Sequence, residues 1–338
     1  MRARALLVLL LLIAGLAGFS YRVATDWKTP GPLVETKTIV LPRGAGTLEI
    51  ARRLGDEGVV AHPWLFVAGA AGTLSILSFK AGEYEIPAGS TPAAVAALLE
   101  SGKVVQHRLT IPEGLTSAEI VAILNAAPAL EGAITRPPAE GTLLPETYFY
   151  VLGDSRQSIL DRMRSAQAKV VDELWVHRAK DLPFQDPEEA LTLASIVEKE
   201  TGRDDERAHV AGVFLNRLHL GMPLQADPTV IYAITKGAKP LDRPLGHDDL
   251  SVESPYNTYL VKGLPPTPIA NPGVASIKAT LQPQPTKDLY FVADGTGKHV
   301  FAQTLAEHNQ HVTELRRLQG QGGGKPVPTP MPTTAPTR

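Results

Sequence analysis

Two carboxylates stand close together in the segment Leu193-Ala194-Ser195-Ile196-Val197-Glu198-Lys199-Glu200-Thr201, and of all the residues in the chain they are best suited to move a proton. The residues before them form a dense helix start, with Asp186 as N-cap, Pro187 at the first helical position and Glu188 and Glu189 in the first turn. A helix from there to about Thr201 is predicted. Along it Leu193, Ile196 and Val197 fall at i, i+3 and i+4, and the i+7 position is Glu200, so an acid continues the apolar stripe. Glu198 turns to a different side, beside Leu191 and Ser195. A carboxyl on a buried stripe loses hydration, which raises its pKa and keeps it protonated at neutral pH, as a general acid requires. Periodicity supports equally a helix that surfaces at its C-terminal end, where Glu200 would pair with Lys199 or Arg203 in solvent.

The chain has no Cys, so thiolate chemistry and disulfides are excluded and carboxylates, hydroxyls and His must carry any reaction. A second amphipathic helix is expected from Asp205 to Leu220, with Val210, Val213, Phe214 and Leu218 apolar and Gly221 as its stop. Beyond it come polar loops: Leu224 to Tyr232, Ser254 to Tyr259, Gly263 to Pro268 and Asn271 to Gly273. Rigid loops dense in Asn, Tyr and Pro suit a sugar groove, because aromatic faces cover pyranose C–H surfaces while amides and carboxylates bond hydroxyls. Any one of them taken alone reads as an ordinary Pro-rich connection. His308 and His311 sit at i and i+3, yet neither a third ligand nor a His-Glu-x-x-His pattern accompanies them, so no metal site and no cofactor is expected.

The elements that must position these residues follow from length and pattern. A chain of 338 residues, 43% hydrophobic and 20% charged, is too long for one ordinary core and too apolar for disorder. Two globular units with appendages are expected. A formal charge of -2 offers no basic field for a phosphate polymer, which argues against nucleic acid as a partner. Arg2 and Arg4 precede an unbroken apolar run from Ala5 to Phe19. Its length lies between a signal-peptide core and the roughly 20 residues of a full span. Basic residues on the short side hold that side in the cytoplasm, so an uncleaved anchor with everything after Arg22 outside is the preferred reading.

Three stretches repeat one pattern: IVLPRGAGTLEIARRL from Ile39, YEIPAGSTPAAVAALL from Tyr84 and LTIPEGLTSAEIVAIL from Leu109. Each is read as a strand, a Pro-x-Gly turn and a helix. The first, with Gly46-Thr47-Leu48-Glu49-Ile50-Ala51 and Leu54, resembles a LysM-type module, a small βααβ unit that binds N-acetylglucosamine polymers. From Gln319 the chain is Gly-rich and then Pro/Thr-rich, with too little apolar surface to offset ordering.

Taken in order, LASIVEKET, VAGVFLNRL, LQADPTVIY, SPYNTY, GLPPTPIANPG and LYFVADGTGKHVFAQTLAEHN resemble the YceG-like family of endolytic murein transglycosylases, the MltG group. The likeness extends over the anchor, the LysM-like region, LTIPEG and GTLLPETYFY. It implies a lyase of cell wall biogenesis and organization, a lytic transglycosylase that cleaves the β-1,4 bond from N-acetylmuramic acid to N-acetylglucosamine inside nascent peptidoglycan strands. The products end in 1,6-anhydro-muramic acid. The resemblance places the catalytic acid in the Glu-Lys-Glu segment; the Glu-Thr pair then favours Glu200, with Glu198 as the alternative. By analogy Gln225, Asp227, Tyr256, Asn257 and Thr258 orient substrate around the cleaved bond, with Glu146 and Tyr148 on the opposite wall. The implied architecture is α+β. Residues 1–4 form a cytoplasmic tip, 5–21 a transmembrane signal anchor, 22–38 a linker and 39–106 a LysM-like subdomain. A mixed catalytic domain with a glycan groove follows over 107–318, then a disordered tail over 319–338. Expected partners are peptidoglycan strands and membrane peptidoglycan synthases, at the outer face of the cytoplasmic (cell inner) membrane. Competing readings are a hydrolase using a second acid such as Asp227, and a wall-binding scaffold without catalysis.

Overall fold

A computed structural model describes residues 2–73 and 79–322. The chain divides into two compact units. The first comprises Met1–Arg108 with Phe149–Asp154, and the second Leu109–Tyr148 with Ser155–Arg338. The fold is mixed α+β, with an apolar helix at its N-terminus.

That helix, α1 (Arg2–Lys28), is 27 residues long, and the mean hydropathy of its most apolar stretch is 2.2. At about 1.5 Å per residue it is long enough to cross a hydrocarbon core of about 30 Å. It runs past the expected end of the anchor at residue 21, so the first part of the expected linker is helical. Nor is that linker free. Trp27 lies against Phe66 with ring centroids 5.8 Å apart, the Gly31 N–H donates to the Ser90 carbonyl at 3.1 Å, and Leu33 packs on the core. Large apolar side chains in a short connection are more stable covered than wet, and this pulls the segment onto the unit.

The remainder of the first unit begins β1 (Lys37–Leu41), α2 (Thr47–Asp56), α3 (Pro63–Gly72) and β2 (Gly82–Ile86). The strands pair antiparallel with Ile39 opposite Tyr84. Ile39, Leu41, Ile50, Leu54, Phe66, Tyr84 and Ile86 form the core, which α4 (Pro92–Ser101) closes with Val95, Ala96 and Leu99. The repeated sequence pattern appears as strand, turn and helix each time, the third copy being β3 (His107–Thr110) and α5 (Ser117–Ala126). Its glycines, Gly44, Gly89 and Gly114, all take the left-handed conformation that other residues adopt only under strain. Thr91 and Thr116 cap the helices that follow them, Thr116 in a full capping box with Glu119.

Strand β4 (Thr147–Tyr150) pairs with β3, and in the second unit α6 (Arg156–Val176), α7 (Pro187–Glu200), α8 (Asp204–His219), α9 (Asp227–Thr235) and α10 (Val274–Leu281) follow. Helix α7 packs on α8 and α10, burying Leu193, Ile196 and Val197 against Val210, Phe214 and Leu224. The late hairpin is present as β5 (Tyr290–Ala293) and β6 (His299–Ala302), with the Asp294 carboxylate accepting the N–H groups of Thr296 and Lys298 in its turn. Helix α11 (Leu305–Gly322) ends the described chain, so the Pro/Thr part of the tail lies outside the described residues.

Candidate active site

Helix α7 is fixed at both ends by its own sequence. Asp186 Oδ1 accepts the N–H groups of Glu188 and Glu189 at 2.9 and 3.0 Å, and Pro187 occupies the first turn without losing a bond. In the middle, the buried Ser195 hydroxyl accepts the Ile269 N–H at 3.0 Å, which ties the Pro-rich segment before α10 to the helix. At the far end the two candidate acids diverge.

Glu198 is engaged. Its side chain is 5% exposed; Oε2 accepts the N–H of Gly273, the N-cap of α10, at 2.9 Å, and Oε1 lies 3.9 Å from the equally buried Arg207 guanidinium. Lys199 reaches the Gly114 carbonyl at 3.1 Å. Burial and then the charge of Glu198 push the neighbouring Glu113 carboxyl up. This end of α7 thus anchors α8, α10 and the turn before α5.

Glu200 faces a different set of groups and is only part-buried. Burial of its carboxyl, and then the charge of Asp227, push its pKa up to about 8 against the opposing pull of Arg217. Asp227 is the first residue of α9, and its Oδ1 accepts the Tyr259 hydroxyl at 2.5 Å. Burial raises the Asp227 pKa while that bond holds it down. The Tyr259 hydroxyl is pushed far above its ordinary range, by burial first and then by Asp227. Arg217 completes the group: Nε donates to the Leu289 carbonyl at 2.6 Å, Nη1 to the Leu224 carbonyl at 2.7 Å, and the guanidinium lies 5.1 Å from the Tyr290 ring centroid. A carboxyl pushed up to about 8 favours its protonated form at neutral pH, and the Asp227 carboxylate whose charge helps to raise it is already hydrogen-bonded to Tyr259.

The other expected site residues fall into two sets. Gln225 and Thr258 build the entry to α9: Gln225 takes a left-handed conformation and donates its N–H to the Thr258 carbonyl at 3.0 Å. Thr258 Oγ1 accepts the Ala226 N–H at 3.0 Å and pairs with Thr229. Asn257 is wholly buried, donates to the carbonyls of Leu250 and Val252, and accepts the Tyr259 N–H at 3.0 Å. Asn257 and Thr258 therefore hold the loop that carries Tyr259. Tyr256 has other partners, its hydroxyl 2.7 Å from Thr267 Oγ1 and its ring 4.9 Å from Tyr232. Tyr232 and Thr267 line a cavity of about 910 Å³ with Glu140, Lys236 and Leu191. That cavity also touches Asp186 at the start of α7, a helix length of roughly 20 Å from Glu200. Glu146 accepts the Thr147 N–H with its carboxylate and the Ile111 N–H with its carbonyl at 3.1 Å, while the buried Tyr148 donates to the Leu144 carbonyl at 2.8 Å and has the Arg162 guanidinium 5.7 Å from its ring centroid.

Sequence reasoning assigned no role to Tyr259 or Arg217. Arg217 lies seven residues beyond Val210 and four beyond Val213, so it continues an apolar stripe as Glu200 does, and the same signal points to it. Tyr259 has no such signal, because its partner, Asp227, stands 32 residues away at the start of α9. Among the described residues no group of three or more His, Asp or Glu is arranged to hold a metal ion; His308 stacks on Tyr290.

Comparison with known proteins adds three findings. Residues 39–314 match the YceG-like family. The chain is 41% identical over 173 residues to a protein of Bacillus subtilis named endolytic murein transglycosylase, and 36% identical over 180 residues to one of the same name in Streptococcus pneumoniae. These alignments cover 51% and 52% of this chain but 47% and 32% of the relatives, so the chain spans about half or less of the length of the curated relatives it matches. The crystal structure of a yceG-like protein from Listeria monocytogenes superimposes with a TM-score of 0.50 at 32% identity, covering 82% of this chain and 99% of that one.

Proposed function

The chain belongs to the YceG-like family, and on that premise we propose that it is a membrane-anchored endolytic murein transglycosylase with Glu200 as its single acid and base. The observation that carries this reading is the environment of Glu200, a carboxyl pushed up to about 8 beside Asp227 and Arg217. In the proposed reaction Glu200 gives its proton to the oxygen leaving C1 of N-acetylmuramic acid. The resulting carboxylate takes the proton of the C6 hydroxyl of the same sugar, and that oxygen bonds to C1. The C1–O4 bond breaks, a C1–O6 bond forms, and the proton passes from O6 to O4 through Glu200. No water is consumed. An internal hydroxyl has a high effective concentration and needs only orientation, so a second carboxylate is not required.

Asp227 then serves through its charge. One of its oxygens is occupied by Tyr259 at 2.5 Å, which favours this part over that of a water-activating base. Asn257, Thr258 and Gln225 act by positioning, and Tyr256 by offering a ring to the glycan. For Glu146 and Tyr148 on a second wall the support is analogy alone. Glu198 is a structural acid in this reading.

The proposed organisation keeps a cytoplasmic tip over 1–4, an anchor that begins near residue 5, a LysM-like glycan-binding subdomain over 39–106 and a catalytic domain over 107–318. The β-α-α-β order from β1 to β2 supports the LysM-like reading. Arg2 and Arg4 support an orientation with the bulk of the chain on the outer face of the cytoplasmic membrane. Membrane peptidoglycan synthases are the proposed partners; failure of every synthase to cross-link to the chain in membranes would count against them.

Digestion of purified peptidoglycan by the full chain tests the reaction. Fragments lighter by one water, carrying 1,6-anhydro ends, are expected from the wild type and not from a folded Glu200→Gln variant. Fragments with a free anomeric hydroxyl would select hydrolysis, and undiminished cleavage by the variant would remove Glu200 from the mechanism.

A further inference from the structure

The first unit carries a surface that the proposed reaction does not use. Trp64, near the start of α3, is 55% exposed, although an indole is among the largest apolar groups a protein can cover. Its ring stacks on Phe19 of α1, with centroids 6.0 Å apart and planes at 21°. Phe19 is the last residue of the apolar run and stands one helical turn before Arg22, the first charge after it. Leu16 and Tyr21 beside it are 67% and 73% exposed. Arg22 Nη2 in turn lies 3.2 Å from Nε2 of His62, the N-cap of α3.

The join between α1 and the unit is rigid. Trp27 packs against Phe66, and a Cβ on Gly69 would lie 2.2 Å from the Trp27 ring, so only glycine lets α1 and α3 approach this closely. The chain leaving α1 is then tied down by Gly31 on Ser90 and by Gly89 on Leu33. A helix clamped this way cannot swing freely over its own unit. Wherever α1 enters a bilayer, the tip of α3 is carried to a fixed depth along it.

We infer that the tip of α3, with Trp64 stacked on Phe19, seats the first unit in the interfacial layer of the same bilayer that α1 enters. The inference rests on reading α1 as the membrane anchor. The partner is a lipid surface. Phe19 marks the edge of the apolar span, and the contact places Trp64 at that level. Indole is favoured at this boundary because its apolar body meets acyl chains while its N–H reaches the headgroups. Arg22 suits the same layer, with its stem along apolar surface and its guanidinium toward phosphate. The expected consequence is that the anchor does not behave as a string but holds its unit against the membrane.

The test uses the full chain and a Trp64→Phe variant in phosphatidylethanolamine and phosphatidylglycerol vesicles whose acyl chains carry bromine near the headgroup end or near the methyl end. The variant alters an exposed ring, so folding is not at stake, and the difference between the two emission spectra isolates Trp64 from Trp27 and Trp175. The surface predicts a blue-shifted Trp64 component that loses more intensity to shallow bromine than to deep bromine. A water-like component unaffected by either, from a chain that resists alkaline carbonate extraction, would overturn the surface while leaving the anchor standing. Release of the chain by carbonate would overturn the anchor reading and this surface with it.

Discussion

Glu198 and Glu200 share a helix end, and yet they belong to different regions of the second unit. The Glu198 side faces α8 and α10, where a guanidinium and a helix N-terminus meet its charge. The Glu200 side faces the start of α9 and the loop bearing Tyr259, where the nearest carboxylate repels it and Arg217 offsets only part of the cost. Each acid also disturbs a second carboxyl or is disturbed by one: Glu198 raises Glu113, and Asp227 raises Glu200. A matched charge builds structure, and an unmatched one stores a proton. Sequence adjacency says nothing of which role a carboxyl takes; the element facing it decides.

The sharpest way to break the comparison is to neutralise each acid in turn. Glu200→Gln is expected to lower strand cleavage by roughly 10²- to 10⁴-fold, with an unchanged far-ultraviolet circular dichroism spectrum. Glu198→Gln is expected to act on stability instead. It leaves the buried Arg207 without its partner on α7, although Asp204 still bonds that guanidinium. A loss of about 3 kcal/mol in urea unfolding is expected, at the lower end for a broken buried pair, and the molecules still folded should cleave normally. If the two variants exchange these phenotypes, the assignment is reversed.

A smaller effect separates the two electrostatic environments. Glu200 must be protonated to act, so cleavage at low substrate should fall as pH rises through about 8. Asp227→Asn removes the charge that raises Glu200 and is expected to move this alkaline limb to lower pH. Glu113→Gln, on the Glu198 side, is expected to leave the limb in place. A limb moved equally by both would mean that the two regions are not separate.

The smallest effect is on stability against pH. Glu200 has a pKa of about 8 in the folded chain against an ordinary value of 4.5, so the folded state binds the proton more tightly. Its contribution to stability is therefore present below about 4.5 and is lost as pH rises through about 8. Glu200→Gln, which never ionises, is expected to melt a few degrees above the wild type at pH 9 and level with it at pH 4. Equal melting temperatures at both pH values would argue that the carboxyl is well solvated.

Much of this was legible before the structure. The Pro-x-Gly turns before Thr91 and Thr116 announced their helices because the signals are local, and Asp186 with Pro187 announced α7 for the same reason. Glu200 was legible as an acid on an apolar stripe, but whether that stripe stays covered depends on Leu224 and the α9 entry, which periodicity does not see. The part of Glu198 was hidden because Arg207 and Gly273 reach it from other elements. The family resemblance, rather than the loop pattern, puts Asn257 and Thr258 around the cleaved bond as orienters; the hydrogen bonds by which they hold the Tyr259 loop have no signature in the sequence. The stretch after the apolar run read as linker by composition, and Trp27 and Leu33 made it part of a core.

The central claim is that Glu200 carries its proton at neutral pH. It is tested most directly by titrating the side-chain carboxyls of the full chain, labelled with carbon-13 at the glutamate carboxyl, by nuclear magnetic resonance in detergent, with Glu200→Gln identifying the resonance. A signal absent from the variant that titrates near 8 is the expected result. A Glu200 signal that titrates near the ordinary 4.5 would contradict the account.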